Sequence, residues 1–134
     1  MKKLYSASLL YLILGLSAGV FFREFTKFSK YTGITSLKGL HPHLLVLGFI
    51  FFLILMLTAN FTHLHEHKHF NQWYIVYNVG LLWTTISMAV RGILQVKGTD
   101  FNGLPHIAGT GHFILGAALI WFMIILKKHI ITNK

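Results

Sequence analysis

Apolar and polar positions alternate along this chain on a long scale. Four apolar stretches, approximately Leu4 to Phe22, Leu40 to Phe61, Trp73 to Val96 and His106 to Leu126, are separated by short polar segments. Each stretch has about 20 residues, which at a rise of about 1.5 Å per residue spans a hydrocarbon core of roughly 30 Å. The pattern predicts an all-α membrane protein, and the short connections force sequential helices to run antiparallel. The expected architecture is one up-down four-helix transmembrane bundle over residues 1–134, without a further domain. Trp73, Tyr74 and Trp121 fall towards helix ends, where interfacial aromatics are expected.

Composition agrees with this reading. The 134 residues are 54% hydrophobic and only 11% charged, too apolar for an ordinary soluble domain. Twelve Lys and Arg oppose three Asp and Glu. These basic residues lie between and outside the apolar runs, which points to lipid headgroups as partners and not to nucleic acid. Cysteine is absent, so neither a disulfide nor a thiolate metal site can form. No nucleophile triad, phosphate loop or paired-carboxylate site is present, leaving hydrolase and transferase chemistry without a signature.

The first run could be read as a cleaved signal peptide, since Lys2 and Lys3 precede it and Ser17-Ala18-Gly19 is small. Its length favours a retained span, and Gly15 to Gly19 forms a GxxxG step that lets helices approach closely. Lys2, Lys3, Lys68, Lys127, Lys128 and Lys134 fall on one membrane face, against Arg23, Lys27, Lys30, Lys38 and Lys97 on the other. The lysines at the two chain ends tip the expectation towards cytoplasmic termini.

Antiparallel threading brings the end of the first helix, the start of the second, the end of the third and the start of the fourth to one face. Arg23, Glu24, His41, His43, Arg91, His106 and His112 therefore gather there. Arg91 and His112 lie inside their helices, where an ionisable group costs about 2.5 to 3.5 kcal/mol unless it snorkels or faces a polar interior. Tyr77, Thr84 and Arg91 recur every seven residues with Ser87 nearby, predicting a polar stripe that faces the bundle interior. A guanidinium there suits a carboxylate, either Glu24 or one carried by a cofactor. Around His112, the residues Ala108, Gly109, Gly111, Gly116 and Ala117 remove side-chain bulk. That leaves room for something wide and flat, such as a haem plane, or for a tightly pressed helix.

GLHPHLLVLGF places Pro42 between two histidines, and the second helix is expected to start at His41-Pro42. Residues two apart on a helix point to nearly opposite sides, so His41 and His43 cannot ligate one ion together. His43, being deeper, is the better ligand candidate. On the other face, THLHEHKHFNQ alternates His63, His65, His67 and His69. An extended segment would put all four on one side as a metal-binding or acid-sensing tract. His129 is expected in a tail.

The H-x-H opening a membrane helix, followed by LLVLGF, resembles the helix-entry motif of haem-copper oxidase subunit I relatives and their small membrane haem homologues. The whole chain resembles a family of small four-span bacterial membrane proteins through REFTK (residues 23–27), TSLKGLHPHLLVLGF (35–49), VRG (90–92) and IAGTGH (107–112). The oxidase resemblance implies haem ligated by histidines of different helices. His43 and His112 are the best match and His41 a second candidate. Independently of the resemblance, Arg91 suits neutralisation of a propionate near the membrane surface, and two or three histidines with Glu24 would suit zinc or copper instead. The oxidase resemblance also implies a homo-oligomer, a trimer, while the four-span family implies the bacterial plasma membrane. The chain departs from the oxidase pattern in having no second histidine pair for copper and no histidine-tyrosine crosslink motif, so oxygen reduction is not expected. The expected function is that of a histidine-ligated haem protein for electron transfer, gas binding or haem handling. Alternatives are a small metal-ion or proton transporter using the same histidines, with zinc or copper as the ion, and a structural or accessory membrane subunit.

Overall fold

The computed structural model describes residues 1–132; Asn133 and Lys134, the latter among the basic residues counted above, lie outside the described residues. Four helices are long and apolar enough to cross a membrane, and no strand occurs among the described residues. They are α1 (Lys2–Phe28), α2 (Leu37–Thr62), α3 (Phe70–Val96) and α4 (Leu104–Leu126), the last continued by a wider turn over Lys127–Thr132. Each begins two or three residues before its apolar run does, at Lys2, Leu37, Phe70 and Leu104.

α2 starts a full turn earlier than expected, so Pro42 lies inside the helix and not at its entrance. Proline has no N–H to donate and crowds the carbonyl four residues back. Immediately after it, His43–Ile50 adopts the wider π-helical register before α-helix resumes at Phe51.

The middle of the bundle is α2 and α3, and each touches both flanking helices. α1 meets α2 through Ser8, whose hydroxyl donates to the Phe49 carbonyl at 3.1 Å, and meets α3 through Tyr11, whose hydroxyl donates to Asn78 Oδ1 at 2.7 Å. α4 packs along α3, with the Trp73 indole N–H donating to the Ala118 carbonyl at 2.9 Å. α2 and α3 are tied by the Tyr77 hydroxyl, which donates to the Leu47 carbonyl at 2.8 Å, and the segment just before α2 joins α3 through the Thr35 hydroxyl, which donates to the Gly92 carbonyl at 2.9 Å. Between helices in lipid there is little hydrophobic gain, so close packing and such hydrogen bonds hold the bundle, the latter worth about 0.6 kcal/mol each on average.

Tyr11, Phe52, Phe70, Trp73 and Tyr77 are fully buried and form one aromatic core. Tyr11 stacks on Phe52 at 5.8 Å between centroids, and Phe51 on Tyr77 at 4.8 Å. Trp73 is thus a core residue and not an interfacial anchor. The early start of α3 carries it one turn inside, and small Ala118 opposite gives its N–H a carbonyl to reach. Outside the core the surface is apolar, with Phe113 at 78% and Ile120 at 67% exposure, which suits lipid better than water.

Candidate functional site

The expected division of the H-x-H pair is present. His41 turns to α1, its Nδ1 2.7 Å from the Gly15 carbonyl, over a surface kept low by Gly19, where a Cβ would lie 2.9 Å from the same nitrogen. His43 turns the other way, towards α4. Its ring centroid lies 5.9 Å from that of His112, with the planes at 87°. The two histidines singled out from separate helices therefore meet.

The orientation of each ring is set by its own helix. His43 Nδ1 lies 2.7 Å from the Gly39 carbonyl and His112 Nδ1 3.0 Å from the Ala108 carbonyl, each four residues back. A carbonyl oxygen only accepts, so both Nδ1 atoms carry hydrogen. In the neutral ring the lone pair then resides on Nε2, the nitrogen left to bind a metal, and this backbone tether is the usual second partner of a ligating histidine.

The pair is not sealed inside the bundle. His43 is half-buried and His112 is exposed, so the gap between α2 and α4 opens to the side. The reason is that α4 turns Ala108, Gly111, Leu115 and Ala118 to α3, which leaves His112 at the margin of that contact. The small residues around His112 divide accordingly. A Cβ on Gly111 would lie 2.6 Å from Trp83, whereas one on Gly109 or Gly116 meets nothing within 4 Å. Gly111 serves helix packing. Gly109 and Gly116, one turn either side of His112, leave open space. Beside His43, Gly39, Pro42, Val46 and Leu47 line a shallow groove of about 280 Å³.

The polar stripe of α3 faces inward as expected, with Tyr77 and Thr84 fully buried and Ser87 buried. Thr84 Oγ1 has no hydrogen-bond partner and lies 2.7 Å from where a Gly111 Cβ would stand. Arg91 ends the stripe but does not reach Glu24. Its Nε lies 3.5 Å from Asp100 Oδ2, with the two side chains 31% and 29% exposed, while Glu24 pairs with Arg23 at 3.6 Å on the surface. Asp100 belongs to the loop before α4, and nothing in the helical pattern marks it as a partner.

At the other end of the bundle the histidine tract is not extended. His63 is left-handed, with φ at 56°, and Leu64–Glu66 forms a 3-10 turn, so the alternation does not put four rings on one side. His129 is not a loose tail residue, since its Nε2–H donates to the Thr62 carbonyl at 2.7 Å and its ring lies 6.0 Å from that of His67. The pKa of His67 is lowered from 6.5, first by burial and then by the charges of His129, His69, Lys68 and Lys128. Among the described residues no three His, Asp or Glu side chains converge as a metal cage.

A protein-family model described as "Protein of unknown function (DUF2871)" matches residues 1–129. No curated protein and no solved structure matches the chain.

Proposed function

We propose that this chain, which belongs to that family, is an integral membrane haem protein in which His43 and His112 would hold the iron. The observation that carries this reading is the facing of two Nδ1-tethered rings from different helices, 5.9 Å between centroids. Two imidazoles that hold one metal through nitrogens about 2 Å from it stand at about this ring separation. An ion held by two histidines needs its remaining positions filled, and a porphyrin fills four. Gly109 and Gly116 keep the open surface of α4 on either side of His112 free of side chains, and a flat group would lie against it there.

When bound, haem held by both histidines would supply a one-electron couple, and uptake of a small gas would require one of the two to leave the iron. The residues of the chain do the holding. Gly39 and Ala108 carbonyls fix the ring orientations, and Arg91, now paired with Asp100, offers its guanidinium to a propionate near the end of α3. The oxidase-like H-x-H entry supports the same assignment, with His41 left as a brace on α1. A second copy of the chain, as the resemblance implies, would cover the side on which the gap opens.

The test is colour. Detergent-purified protein is expected to show a Soret band with about one haem per chain, abolished in His112→Ala. A colourless protein carrying stoichiometric zinc or copper at the same histidines would replace this reading with the metal-transport one.

A further inference from the structure

At the face opposite His43 the histidine tract divides in two. His63 Nδ1 and His65 Nε2 lie 3.3 and 3.9 Å from Glu66 Oε1. His67 and His69 gather elsewhere, their centroids 5.7 Å apart, with His129 from the end of α4 6.0 Å from His67. Three imidazoles from two segments distant in sequence thus share one small surface.

Two of the three are already oriented as ligating histidines usually are, with one N–H spent on an oxygen and the other nitrogen free. His129 donates Nε2–H to the Thr62 carbonyl at 2.7 Å, leaving Nδ1; His69 donates Nδ1–H to Gln72 Oε1 at 3.0 Å, leaving Nε2. His67 sits between them and accepts the His69 backbone N–H at 3.3 Å, a long bond that leaves its ring free to turn.

We propose that His67, His69 and His129 bind one divalent first-row transition ion of the imidazole-preferring kind, Zn²⁺ or Cu²⁺, with water completing its coordination. The three nitrogens do not converge on one point as the rings now stand. Closing the site requires the His67 ring to turn and the rings of His69 and His129 to draw in, so that all three donors come to about 2 Å from the ion. Bound in this way, the ion clamps the end of α4 to the loop between α2 and α3. This site is independent of the haem reading, since none of its residues touches His43 or His112.

The experiment is Zn²⁺ titration of the full chain in detergent against a chromophoric chelator, repeated in His112→Ala so that the haem site plays no part. Saturation at one ion per chain is expected. His129→Gln, which keeps a donor for the Thr62 carbonyl, should weaken affinity at least about tenfold, while His63→Gln should stay within about twofold. Unchanged affinity in His129→Gln overturns the proposal, because binding would then belong to the tract as a string of loose ligands. Equal losses from His63→Gln and His67→Gln, or no saturable binding, overturn it as well.

Discussion

The carbonyl oxygen of Gly39 stands 2.7 Å from Nδ1 of His43, one turn behind it on α2. Pro42 intervenes between the two and cannot offer a backbone N–H, but the carbonyl four residues behind it is that of Lys38; the Gly39 oxygen already accepts the His43 backbone N–H, and the ring adds a second donor to it. The ring is thereby held by the helix it grows from. The same tether recurs between His112 and Ala108.

This arrangement predicts a tautomer. In ¹⁵N-histidine-labelled protein without haem at alkaline pH, His43 and His112 should carry hydrogen on Nδ1, against the Nε2–H form that free imidazole side chains favour. His41 should do the same through Gly15. An Nε2–H signal from His43 or His112 would mean that the nitrogen assigned to iron is already spent.

The glycines separate packing from cofactor space. A methyl on Gly48 collides with the Tyr11 ring, so Gly48→Ala should destabilise the protein by about 1 to 3 kcal/mol. Gly116→Ala meets nothing and should leave the thermal midpoint of the haem-free protein undiminished. Gly116→Leu should likewise fold, yet lose haem, because the larger side chain projects into the space beside His112. Melting curves and haem content of the three variants check both statements, and full haem occupancy in Gly116→Leu would remove the flat group from that side of α4.

Arg91 and Asp100 form a half-exposed pair, whose loss in Asp100→Asn should cost no more than about 1 kcal/mol. Freed from its carboxylate, Arg91 should retain haem at least as well as before. Arg91→Ala should lower retention without abolishing ligation, measured as haem loss to an excess of an apo-haem scavenger. Equal loss rates in Arg91→Ala and the unsubstituted protein would refute its role as anchor.

The spans were legible because an apolar run of membrane length has few alternatives, and the inward stripe because seven-residue spacing keeps Tyr77, Thr84 and Arg91 on one side of α3. Threading put His43 and His112 at one membrane face together with five other residues, and the oxidase resemblance singled them out as a pair. What escaped the sequence depends on local backbone that periodicity does not encode. The widened turn after Pro42, the left-handed His63 and the loop that presents Asp100 are of this kind. His129 escaped for a related reason: a residue past the last apolar run reads as a tail until a carbonyl such as that of Thr62 is found beside it. Gly109 and Gly111 are indistinguishable on paper, although one faces open space and the other the Trp83 ring.

The π-helical stretch over His43–Ile50 makes α2 two rotors on one axle. A single residue removed between Leu44 and Ile50 would let ordinary helix run through. It would swing everything upstream by about 100° while Phe51 and Phe52 kept their places in the aromatic core. One codon therefore sets which neighbour His43 addresses, and the same swing would carry Leu37, Leu40 and Leu44 out of the core, so the direction of the imidazole and the packing of this half of α2 are fixed together.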